Sequence, residues 1–150
     1  DNPTGWVDWS ALGRADEDMT SLIAQLMELR RRFPQLRPRR WVQGRRADGS
    51  FGVLWLTPQA TEMTEQDWNF PEGRFLSYAL GPVHKGDGPL YIVLNAAPEA
   101  IDFTLPALPG CSRWTLVLET EPEPRPGAKF TSGSKLHAPP RSVLAFSGAA

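Results

Sequence analysis

The feature that most limits what this chain can fold into is the way proline and glycine divide it. Breaks at Gly81-Pro82, Gly86-Asp87-Gly88-Pro89, Pro106 to Gly110, Pro122 to Gly127 and Pro139-Pro140 separate short apolar runs. Proline has no N–H to give to an inner ladder, so strands must lie between such breaks rather than across them. The runs alternate as half-buried strands do. Arg74 to Leu80 places Leu76, Tyr78 and Leu80 on one face, and Leu90 to Leu94 repeats this with Leu90, Ile92 and Leu94. Ile101, Phe103 and Leu105 alternate with Asp102 and Thr104; Trp114, Leu116 and Leu118 follow, and Val143 to Phe146 closes the set. Upstream, Trp41 to Arg45 and Phe51 to Leu56 flank Asp48-Gly49, a hairpin signal. About seven or eight short strands separated by turn signals predict an antiparallel β-sandwich.

One segment breaks the pattern. Met19, Leu22, Ile23, Leu26, Leu29 and Phe33 recur at three- and four-residue intervals, which predicts an amphipathic α-helix. Asp16 is the expected N-cap, and with Glu17 and Asp18 it brings acidic groups to the positive end of the helix dipole. Arg30, Arg31 and Arg32 complement the other end, and Pro34 stops the helix. The fold class is therefore mainly β, with one helix ahead of a sandwich.

The usual chemical constellations do not assemble. His84 and His137 lack Cys or carboxylate neighbours at metal-ligand spacing, so no metal is expected. Gly86-Asp87-Gly88 precedes a strand and lacks the Gly-Lys-Ser/Thr ending of a phosphate loop. No serine stands in a Gly-x-Ser-x-Gly elbow. The carboxylates of Asp16 to Asp18, Glu62 with Glu65, and Glu119, Glu121 and Glu123 read as solvated charges. Cys111 is the single cysteine, which excludes an internal disulfide and reads as a packed residue. No catalytic residue and no cofactor is implied. The arginines from Arg30 to Arg46 are dense, yet a net charge of −1 gives no electrostatic footprint for nucleic acid. No apolar run could span a bilayer and no secretory signal opens the chain, so no membrane partner and a cytoplasmic location are expected.

The six Trp are the informative set. Trp55 and Trp114 fall within strand patterns and are expected in the core. Trp41 could lie inside or outside. Trp6, Val7 and Trp9 crowd the opening residues, and Trp68 lies with Met63 and Phe70 in a stretch that reads as a loop, Thr61 to Phe70. Apolar clusters outside any strand period mark contact surfaces.

These residues carry a family resemblance. Gly5-Trp6-Val7-Asp8-Trp9, Leu29-Arg30-Arg31 to Phe33-Pro34, and Trp55-Leu56 come first. Thr61-Glu62-Met63-Thr64 with Asp67-Trp68-Asn69, Leu94-Asn95-Ala96 and Asp102-Phe103-Thr104-Leu105-Pro106 follow in order. Together they resemble the C-terminal part of bacterial glycogen-debranching enzymes of the isoamylase type, in the α-amylase superfamily. The resemblance implies a fragment: residues 1–36 would be a remnant of a catalytic (β/α)8 barrel, its last loop and helix, and residues 37–150 the C-terminal β-sandwich. Such enzymes hydrolyse α-1,6 branch points of glycogen-like glucans through an Asp nucleophile and a Glu acid/base, on motifs that this chain does not contain. The implied partners are the barrel and, through it, α-glucan. Asn2 and Trp6 are the implied substrate contacts, because loops after barrel strands line the active-site face. Pro3 and Gly5 depart from the family's common acidic and hydroxyl residues. Trp9, Met63, Trp68 and Phe70 are the expected domain contacts, and self-association through exposed apolar surface is expected without the barrel. The rival reading is a carbohydrate-binding module that grips α-glucan through exposed Trp41 or Trp68.

Overall fold

The structure is a computed structural model. It describes residues 2, 5–6, 13–39, 41–121 and 126–149, and for residues 14–17 the backbone alone. The chain divides into two compact units, Asp1–Arg32 and Phe33–Ala150.

In the first unit α1 spans Arg14–Arg32. It starts ahead of the expected cap, so Asp16 lies inside the first turn, where an acidic residue still complements the dipole without serving as N-cap. The three arginines do end the helix. Met19, Ile23, Leu26 and Met27 have exposed side chains.

The second unit opens on a 3-10 turn, Pro34–Leu36, and continues as strands. These are β1 (Val53–Leu56), β2 (Phe75–Leu80), β3 (Leu90–Asn95), β4 (Ile101–Thr104), β5 (Arg113–Glu119), β6 (Lys129–Thr131), β7 (Lys135–Ala138) and β8 (Ser142–Ala149). A short helix α2, Glu65–Trp68, follows β1. The pairings are antiparallel and form a six-stranded sheet in the order β1-β2-β3-β8-β5-β6 and a two-stranded sheet of β4 and β7. Phe103 of β4 lies 6.4 Å from the Tyr91 ring and 6.1 Å from the Phe146 ring of the larger sheet, so the layers meet across one core. Leu54, Ala79, Tyr91, Val93, Trp114, Leu116, Leu144 and Phe146 fill it from the large sheet. Trp114 is in the core as expected, and its buried Nε1 donates to the Pro106 carbonyl at 3.0 Å.

Three expectations are corrected. The hairpin across Asp48-Gly49 shrinks to a single bridge, Arg45 to Phe51, and residues 41–44 form no strand. The Gly52 and Val53 amides both donate to the Gln43 carbonyl at 3.0 Å, an irregularity that interrupts the ladder ahead of β1, and the regular partner of β1 is β2. In β3, the buried set is not one alternate face: Leu90 and Ile92 are buried along with Tyr91 and Val93. A central strand covered on both sides reads as a continuous apolar run. In β5, a bulge between Leu116 and Leu118 shifts the register. Leu116 opposes Phe146 on the core face, whereas Leu118 opposes Ala145 on the other, so Trp114, Leu116 and Leu118 do not share a face.

Candidate functional site

Strand parity decides which aromatic rings leave the core. In β1, Leu54 and Leu56 face inward, so Val53 and Trp55 must face outward. Antiparallel register then sets Trp55 opposite Tyr78 and Val53 opposite Leu80 on that outer face. Trp55 is 38% exposed, which corrects its expected place in the core.

A third ring joins from α2. The stretch expected as a loop contains Thr64 and Asp67 at capping-box spacing, a signal that could have revealed this helix in the sequence. The Asp67 carboxylate accepts from the Thr64 amide and hydroxyl, both at 2.7 Å, and the Asp67 amide donates back to the Thr64 hydroxyl at 3.4 Å. Those bonds, the Thr64 amide's first, hold the Asp67 carboxyl below its ordinary range. Asn69 closes the turn by donating to the Glu65 carbonyl at 2.9 Å. So fixed, α2 sets Trp68 edge-on to Trp55, centroids 5.4 Å apart at 74°, while Trp55 tilts against Tyr78 at 5.1 Å. Each such pair contributes about 0.5–1.5 kcal/mol beyond area burial. Partial burial pushes the Tyr78 phenol up. Trp68 remains 51% exposed and Phe70 60% exposed.

Met63 and Phe70 have a different role from Trp68. Met63 is anchored by its amide to the Trp55 carbonyl at 2.9 Å. It lines, with Phe70, Gln66, Arg74 and Glu99, a cleft of ≈ 630 Å³ beside β1 and β2. The structure therefore brings three of the four expected contact residues around one short helix, on two sides of it. Trp9, the fourth, lies outside the described residues.

The family described as Isoamylase, C-terminal, matches residues 52–135, more than half of the chain. The chain belongs to the isoamylase C-terminal family. A glycogen debranching enzyme of Serratia proteamaculans is 31% identical over 125 residues, covering 78% of this chain and 15% of that protein. A glycogen operon protein GlgX homolog of Mycobacterium bovis is 27% identical, covering 96% and 22%. An isoamylase of Pseudomonas amyloderamosa is 27% identical, covering 80% and 15%. This isoamylase C-terminal chain thus spans 15% to 22% of the length of these relatives. In fold it is similar to a mutant isomaltulose synthase of Erwinia rhapontici NX5, at TM-score 0.50 and 14% identity, over 84% of this chain and 17% of that one.

Among the described residues, the remaining groups of the isoamylase C-terminal chain are chemically quiet, with one exception. Among the described residues no three His, Cys, Asp or Glu gather as a metal site. Burial pushes the Cys111 thiol up, opposite to what a nucleophile needs. His137 is paired with Asp102 across β4 and β7, at an exposed position; the two are far apart in the chain, and only the strand pairing makes them neighbours. The exception is Glu119, expected from sequence as a solvated charge. It ends β5 at 8% exposure, and desolvation pushes its carboxyl up to about 7 against the hydrogen bonds from residues 120 and 121. One oxygen accepts from the Glu121 amide at 3.2 Å. The bulge in β5 is what turns it inward. Asn2 and Trp6 lie in the first unit; both are exposed, and the Asn2 carbonyl accepts from the Gly5 amide at 3.2 Å. Pro3 lies outside the described residues. Among the described residues no helix is long and apolar enough to cross a membrane.

Proposed function

We propose that this chain is the C-terminal part of a cytoplasmic glycogen-debranching α-1,6-glucosidase and has a structural, non-catalytic role in it. The observation that carries the reading is the family match over residues 52–135, in relatives several times longer that are named as glycogen debranching enzyme and isoamylase. In this reading residues 1–36 belong to the catalytic barrel, with Asn2 and Trp6 near its substrate. Trp9, Met63, Trp68 and Phe70 form the contact with the barrel, joined by Trp55. The exposed Trp68 and Phe70 side chains beside α2 support a protein contact, because apolar groups exposed together mark contact surfaces.

A second reading, an α-glucan-binding module, is favoured by Trp41, whose side chain is 99% exposed. Co-sedimentation of the chain with glycogen or amylopectin separates the two. The structural reading expects the chain in the supernatant, no release of reducing ends from amylopectin, and dye binding by the bare apolar face. Tight retention on glycogen that is lost on Trp68→Ala would refute it, as would measurable debranching by this chain.

A further inference from the structure

The wall opposite α2 carries a different chemistry. A cleft of ≈ 730 Å³ is lined by Gln35, Arg37, Arg39, Trp41, Arg46 and His84 around a floor of Gly52, Leu80 and Gly81, and none of its lining residues is acidic. Its walls are fixed by backbone. The Gly81 amide donates to the Gly52 carbonyl at 2.9 Å, and a Cβ on Gly81 would lie 1.9 Å from the Phe51 carbonyl, so the floor has no room to rise. Arg46 is held at the rim by two bonds to Ser50, its amide to the carbonyl at 2.7 Å and Nη1 to the hydroxyl at 3.1 Å. Two acids lie nearby and both are engaged, Asp48 by the Ser50 amide and hydroxyl at 2.9 and 2.6 Å and Asp87 by the His84 amide at 2.9 Å. Arg45, by contrast, points away into an ion pair with Glu62. Arg39 has no ion-pair partner among the described residues.

One further group is selective for more than charge. Trp41 presents a bare indole at the mouth. Gln35, 5% exposed, donates from Nε2 to the Gly88 carbonyl at 2.8 Å, which fixes this wall. Guanidinium groups recognise phosphate oxygens by paired N–H donors. An indole face packs against the C–H face of a sugar ring.

From this combination we infer that the cleft binds a phosphorylated sugar. The phosphate sits among Arg37, Arg39 and Arg46, and the ring lies on Trp41. The cleft shares none of its lining with the surface around Met63 and Phe70, although Arg39 and Trp41 also line a groove with Trp55 and Tyr78.

Titration calorimetry on the full chain at low salt, with glucose 6-phosphate, inorganic phosphate, maltotetraose and a short single-stranded oligonucleotide as probes, tests it. Glucose 6-phosphate should bind, at least about tenfold more tightly than neutral maltotetraose, and more weakly as salt is raised. Arg39→Ser, with Arg46→Ser as a second variant, should each weaken it by about tenfold. Trp41→Ala should reduce its affinity to that of inorganic phosphate with an unchanged melting temperature. Any of four results overturns the inference: no heat with glucose 6-phosphate; equal binding of inorganic phosphate and glucose 6-phosphate by the unaltered chain; indifference to both arginine changes; or the oligonucleotide as the tightest probe.

Discussion

Asn95 ends β3, 3% exposed, where the two sheets and two connections converge, and its removal should be among the costliest polar changes in the chain. Its Nδ2 donates to the carbonyls of Glu99 at 2.9 Å, Ala138 at 3.0 Å and Pro139 at 2.8 Å. Its Oδ1 accepts from the buried Ala97 amide at 2.9 Å. Asn95→Ala strands the Ala97 amide, which costs about 1–3 kcal/mol, and removes bonds to three carbonyls worth about 0.5–1.5 kcal/mol each. The Pro139 carbonyl keeps a second bond from the Ser142 hydroxyl at 2.7 Å, so the sum is discounted to about 3 kcal/mol. That corresponds to a fall of roughly 10 °C in Tm.

Asn95→Asp separates hydrogen bonding from shape. The isosteric carboxylate keeps the acceptor for Ala97 but turns the donor into an oxygen facing three carbonyl oxygens. Only its protonated form can donate, so its folded pKa must rise above the unfolded value of about 3.9. The folded state then holds the proton longer, and stability falls as pH rises from the unfolded pKa through the folded one. Urea unfolding at pH 4 and pH 7 should show Asn95→Asp losing stability between them relative to the parent chain, while the Asn95→Ala deficit stays constant. Two results would refute this bonding scheme: Asn95→Asp tracking the parent chain across that range, or an Asn95→Ala cost below about 1 kcal/mol.

Two other sites give outcomes of their own. The Glu119 carboxyl is raised from 4.5 to about 7 by desolvation, so stability should decline as pH rises from about 4.5 through about 7. Glu119→Gln should flatten that decline and be the more stable form at pH 8, by ~1 kcal/mol after solvent screening; parallel urea midpoints for the two forms at pH 5 and pH 8 would contradict this. At Gly88 an added Cβ would lie 1.8 Å from the Gly148 carbonyl. Gly88→Ala should therefore cost at least ~2 kcal/mol through displaced backbone, against about 1 kcal/mol for Gly110→Ala, whose positive φ of 70° meets open space; equal melting temperatures for the two would contradict the close approach.

The strands most legible in the sequence are those whose two faces differ in polarity or whose ends are set by proline, as in Ile101–Thr104 and Arg113–Glu119. Lys129–Thr131 and Lys135–Ala138 are not legible, because strands of three and four residues carrying Lys and His between Ser-rich flanks lack an apolar stripe. Faces are harder to read than strands. The apolar residues of β2 on the alternating set, Leu76 and Tyr78, look outward, while the small residues Ser77 and Ala79 are fully buried beneath the aromatic core. Size complementarity across the layers, which no periodicity reports, chooses the face. The bulge in β5 is equally silent in the sequence, yet it turns Leu118 away from the central cluster and Glu119 toward it. Of the candidate site, Met63, Trp68 and Phe70 are legible as apolar residues outside the strand pattern; Trp55 is not, because its neighbours Leu54 and Leu56 take the inner positions.

The residues behind the family resemblance divide by what holds them in place. Asn95 is explained by its four bonds, Phe103 and Leu105 by the core, and Pro106 by the carbonyl that receives the Trp114 indole. Asp67 and Asn69 are explained by the turn they close around α2. Trp68 is different. Its neighbours fix the helix that carries it, but half of its ring surface meets nothing within the described residues. A large ring on a short helix, held by a capping box at one end and a side-chain hydrogen bond at the other, contributes one edge contact with Trp55 to the fold and leaves about half of its apolar surface in water. Such an arrangement makes physical sense when the helix exists to present the ring. Presentation of Trp68 at this edge of the sheet is the physical ground for the proposed contact with a larger catalytic body.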